Sequence, residues 1–109
     1  MSSLADVSQE IARIAERHRR SRRRTLGLRR LLATVDGLLE DLEELHLIGK
    51  SRVPLNWAAR LDALTASLPV GMRRVLRTGV TIVRLMDELF AIQESLLREI
   101  APAIPDDAA

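Results

Sequence analysis

The stretch "LRRLLATVDGLLEDLEELHLIGK", residues 28–50, decides the fold. Apolar side chains recur at Leu28, Leu32, Val35, Leu39 and Leu42, and Leu31, Leu38 and Leu45 form a second row beside them. Steps of three and four place such residues on one side of an α-helix. Two adjacent rows make a face broad enough for a core. Gly49 stands just past the last periodic residue, where a left-handed backbone closes a helix at little steric cost.

Toward the N-terminus the first row continues unbroken through Leu4, Val7, Ile11, Ile14, His18, Ser21 and Thr25, while the second row stops. The pattern is a heptad a/d ladder, narrow before residue 28 and wide after it. It predicts one helix over about residues 3–48, with Ser3 as N-cap and Asp6 three residues on. Unbroken, that helix is about 70 Å long. Gly27 is a candidate bend, since a glycine inside a helix costs about 1 kcal/mol.

Toward the C-terminus, "KSRVP" (residues 50–54) reads as a loop, and Pro54 suits a first helical position. Trp57, Leu61, Leu64 and Leu68 then give a short second helix, about 54–67. Pro69 is expected to open a third helix over about 69–101, with the ladder Met72, Val75, Gly79, Ile82, Met86, Leu89, Gln93, Leu96 and Ile100. Leu76, Val83, Phe90 and Leu97 widen it on one side, and Leu85 and Ile92 on the other. Pro102 and Pro105 stop it, leaving residues 102–109 as a flexible tail. A helix this apolar exceeds what a surface helix needs. Val75, Ile82, Met86, Leu89, Phe90, Leu96 and Leu97 are therefore the candidate oligomer interface.

Composition agrees with helices. Of 109 residues, 47% are hydrophobic but only 2% aromatic, a balance poor for sheets. The length suits a single domain, 1–109. The absence of cysteine excludes disulfides and thiolate metal sites. No apolar run is long enough for a transmembrane helix, and "MSSLADVSQE" does not resemble a secretory signal, so a cytoplasmic location is expected.

Charge is arranged in blocks, and sixteen of the seventeen basic residues are arginine. Residues 1–31 are strongly basic, 32–50 acidic, 69–86 basic through Arg73, Arg74, Arg77 and Arg84, and 87–109 acidic. Setting the two long helices antiparallel brings unlike blocks together. Exposed pairs are individually weak, but several of one sense select a topology. Arg17, Arg19, Arg20, Arg22, Arg23, Arg24, Arg29 and Arg30 exceed what four acids on a neighbouring helix can neutralise, and they wrap the helix. They are the candidate polyanion-binding residues, with phosphate neutralisation as the source of affinity. No Asn or Gln lies in the run for adenine readout and no aromatic for base stacking, so binding is expected without base recognition.

Other polar residues are read structurally. Glu43 and His46 have the spacing of half a di-iron carboxylate motif, but no second pair exists on helix three. Gln93, alone on an apolar ladder, fits a register-fixing polar residue or a group in a pocket. Trp57 fits an anchor for the short helix. No phosphate-loop, nucleophile-elbow or zinc-protease motif occurs. No catalytic, cofactor or metal site is read.

The long–short–long layout resembles the all-helical chorismate mutases. In that resemblance Arg17 or Arg29, Lys50 and Gln93 would bind a dicarboxylate. This chain departs from the pattern at the opening of helix two, "PLNWAARLD", which lacks the Arg-Glu pair. The expected fold is all-α, three helices with the long pair antiparallel, the bundle completed by oligomerisation, a dimer first. The expected function is non-enzymatic: a helical module contacting nucleic acid, or an acidic protein partner, through its arginines. The alternatives are a protein–protein adaptor using helix three and, third, a chorismate-mutase-like enzyme.

Overall fold

The computed structural model describes residues 4–101. Helix α1 spans Leu4–Leu47, α2 spans Ala58–Ser67 and α3 spans Ile82–Ile100, with 3-10 turns at Leu55–Trp57 and Val70–Met72. Ser3, Pro102 and Pro105 lie outside the described residues, as does the 102–109 tail.

Helical structure in α1 continues unbroken through Gly27. It ends as Gly49 predicts. Gly49 takes φ +89°, its N–H donates to the His46 carbonyl at 3.1 Å, and the Lys50 N–H donates to the Leu45 carbonyl at 2.9 Å. This pair of bonds is the Schellman closure.

The two long helices pack against each other. Arg24 meets Glu99 and Asp36 meets Gln93, so α3 runs antiparallel to α1. The core takes Leu28, Val35, Leu38, Leu39 and Leu42 from α1, and Ile82, Leu85, Leu89, Ile92, Leu96 and Ile100 from α3. Val53, Trp57, Leu61, Leu64 and Leu68 join the same cluster from the segment between. No polar or charged residue is buried among the described residues. Trp57 is held under Arg60, whose guanidinium carbon lies 4.4 Å from the ring centroid. Arg60 in turn donates to Asp41 at 2.7 Å, tying α2 to α1.

The third helix is shorter than the residue pattern predicts. It begins at Ile82, not near Pro69, and residues 73–81 are not helical. The backbone there bonds elsewhere. Val53 N–H donates to the Val80 carbonyl and Gly79 N–H to the Val53 carbonyl, both at 2.9 Å, and Ile82 N–H donates to the Ser51 carbonyl at 3.0 Å. Arg52 and Thr81 form an isolated antiparallel bridge. Gly79 takes φ +77°, outside the helical region, and the Thr81 hydroxyl accepts the Arg84 N–H at 3.2 Å as the N-cap of α3.

This changes the status of the candidate interface. Ile82, Leu89 and Leu96 are at most 1% exposed and belong to the chain's own core, because α1 and the connecting segment already cover that ladder. Met86 is partly buried against it. Val75, Phe90 and Leu97 remain exposed, together with Val83.

Candidate functional site

The first core residue of α1 is Leu28. The hydrogen bond between α1 and α3 nearest the N-terminus of α1 is at Arg24, whose guanidinium donates to Glu99 at 3.1 Å. Residues 4–23 therefore project as an arm about 30 Å long, within a molecule whose longest dimension is 72 Å. Every residue of the arm except Ala15 and Glu16 is exposed. Its ladder is bare: Leu4, Val7, Ile11 and Ile14 are 87, 47, 62 and 45% exposed.

The eight candidate arginines are all exposed. Arg17, Arg19, Arg20, Arg22 and Arg23 lie on the arm, and Arg24, Arg29 and Arg30 lie where it joins the body. Glu16 neutralises part of the run, accepting from Arg19 at 3.2 Å and Arg20 at 3.3 Å. The hydrogen bond from Arg20, with the charges of both arginines, holds the Glu16 carboxyl below its ordinary value. Among the described residues, no carboxylate lies within ion-pair distance of Arg17, Arg22, Arg23, Arg29 or Arg30. Exposed ion pairs within a helix are worth little, so the segment stays strongly positive.

Packing brings three of these arginines together. A groove of about 490 Å³ opens between α1 and the end of α2, lined by Arg23, Arg24 and Arg30 over Leu28, Leu31 and neighbouring small residues. Its lining holds no acid. Pro69 and Ser67 form its far wall, which residue spacing along one helix could not reveal.

A second basic area arises from the unwinding of residues 73–81. Arg73, Arg74, Arg77 and Arg84 surround a cleft of about 640 Å³ with Glu88 at its edge. Glu88 pairs with Arg74 and raises its already high pKa further. The sequence pattern shows these arginines only as a charge block at the head of a helix. Among the described residues none of these arginines makes an ion pair with the acidic end of α1, where Asp41 pairs with Arg60 of α2. At the other end of α3 the expected match does form, through Arg24 and Glu99.

Gln93 donates to Asp36 Oδ1 at 2.7 Å, linking α3 to α1 at a fixed register. Glu43 and His46 are both exposed, and no three metal-binding side chains converge among the described residues. Of the residues matched to the chorismate mutase pattern, Gln93 bonds to Asp36 of α1, Arg17 and Arg29 are alternative exposed positions on that helix, and Lys50 follows its C-terminal end. No helix among the described residues is long and apolar enough to cross a membrane.

No protein-family model, curated protein or solved structure matches this chain.

Proposed function

We propose that the chain is a non-enzymatic helical interaction module that grips a polyanion, foremost the phosphate backbone of nucleic acid, along Arg17–Arg30. The observation that carries this is the groove at the root of an arginine-covered arm, lined by Arg23, Arg30 and the Glu99-paired Arg24 with no acid in its own lining. Arginine suits the role, because its planar fork meets phosphate oxygens in pairs. The side chains named have no amide among them for reading adenine, so the contact follows charge and shape rather than base sequence.

A second reading has its own support. Val83, Phe90 and Leu97 are 56, 46 and 48% exposed and recur every seven residues along α3. Such a stripe suits an adaptor that docks a protein partner, with the arginines steering an acidic surface.

Fluorescence anisotropy with a labelled duplex and a labelled single-stranded RNA, titrated across salt, tests the first reading. Micromolar binding at low salt with a steep log–log salt slope is expected. Changing Arg19, Arg20, Arg22, Arg23 and Arg24 to Gln should flatten the duplex slope by about 0.9 for each phosphate that is no longer neutralised. A variant with Arg73, Arg74 and Arg77 changed to Gln, which removes charge elsewhere on the chain, should retain most of the slope. No binding at low salt would refute the nucleic-acid reading and leave the adaptor.

A further inference from the structure

The bare arm poses a problem that the rest of the fold does not answer. One ladder runs the length of α1. From Leu28 onward α3 and the connecting segment cover it, and from Leu4 to Ile14 nothing among the described residues does. A solvated helix of this length, dense in like charges, has little to hold it together.

We propose that the arm is covered by the arm of a second copy of this chain, in antiparallel orientation, forming a symmetric two-stranded coiled coil. The seam itself supplies the first argument. The covered half of the ladder is already an antiparallel pairing with α3. A second arm laid antiparallel continues in the same direction as α3, so one interface extends along the whole of α1.

Charge supplies the second argument and chooses the orientation. With Leu4 at an a position, Glu10, Arg17 and Arg24 occupy g, and Ala15, Arg22 and Arg29 occupy e. In a parallel pair each g residue faces the next e residue of the other strand. That sets Arg17 against Arg22 and Arg24 against Arg29, twice over by symmetry. In an antiparallel pair g faces g. The register with Ile11 opposite Ile14 then sets Glu10 of each copy beside Arg17 of the other. Val7 falls opposite His18 and Leu4 opposite Ser21. Sliding by one heptad either way sets Glu10 against Glu10 or Arg17 against Arg17. Glu10 is available for the exchange, since its present ion pair with Arg13 is long, 3.8 Å, and exposed.

The pairing leaves Arg19, Arg20 and Arg23 at outward positions. It places the two basic segments on either side of a two-fold axis between Ile11 and Ile14, with the folded bodies at opposite ends. It does not depend on what the arginines bind.

Light scattering coupled to gel filtration should give twice the 12.2 kDa of one chain. Changing Ile11 and Ile14 to Asp should return it to one chain's mass with Trp57 emission unchanged, because both sites lie outside the core. Orientation is read by disulfide trapping, since the chain has no cysteine of its own. An equimolar mixture of V7C and H18C should oxidise to the mixed dimer. Each variant alone should resist, because like positions then lie about 16 Å apart along the axis. A monomer at micromolar concentration, a dimer that survives the two aspartates, or self-trapping of V7C and H18C would each overturn the proposal.

Discussion

Replacing Gly37 by Ala should stabilise this protein by about 1 kcal/mol, the cost of glycine inside a helix. Gly37 lies within the packed half of α1, between Val35 and Leu38 of the core. It also lines an apolar hollow between α1 and α2, beside Ala33 and Ala63. A methyl group built there meets nothing within 4 Å, so no packing penalty opposes the gain in helix propensity. For a chain of this size the gain corresponds to a rise in melting temperature of about 4–8 °C. In urea it corresponds to a midpoint shift of about 0.3–1 M, given slopes of about 1–3 kcal/mol per M. Urea melts followed by far-ultraviolet circular dichroism and by Trp57 fluorescence measure it with two probes. Gly27→Ala, equally unobstructed, sits one residue before the first core side chain. It should raise helicity while moving the global transition less. A loss of stability in Gly37→Ala would refute the argument and mean that α2 closes over that position.

Leu89→Ala removes a side chain with no solvent exposure from the centre of the α1–α3 seam. A loss of about 2–5 kcal/mol is expected, a large share of a small domain's stability, and a retained melting temperature would contradict that central position. Acid should loosen the arm before the body. Glu16 has its carboxyl pKa lowered in the folded helix, so its contribution is complete above the ordinary value of 4.5 and is lost as pH falls through the lowered one. Helicity should therefore decline below that ordinary value in the native chain, and Glu16→Gln should remove this part of the decline.

The parts of the fold that depend on neighbours in sequence are the parts readable from it. Gly49 closes α1 where a glycine after the last ladder residue should. The row of Leu31, Leu38 and Leu45 marks where the helix begins to face a core. The start of α3 is not readable in the same way. Met72, Val75 and Gly79 keep the three–four spacing, and Pro69 imitates a first helical residue. The competing bonds come from Ser51 and Val53, far away in the chain, and spacing carries no record of them. Gly79 and Thr81 were the local clue, a left-handed turn followed by a cap. The arginines of the arm are visible as a run. Their gathering into a groove depends on Ser67 and Pro69 arriving at and just past the end of α2, and the cleft of Arg73, Arg74, Arg77 and Arg84 exists only because the helix fails there.

The pairing of residues 51–53 with 79–82 also bears on how the chain finds its fold. The contact between Arg24 and Glu99 joins residues 75 apart in sequence, whereas the bond from Arg52 to the Gly79 carbonyl joins residues only 27 apart. Closing the shorter span first costs about 1 kcal/mol less chain entropy than closing the longer one directly. Once it is shut, α1 and α3 are connected as though by a turn of a few residues. Topologically the protein becomes an αα-hairpin with residues 54–78 inserted into its turn, and on this route its long-range helix pairing is expected to form at the rate of a more local one.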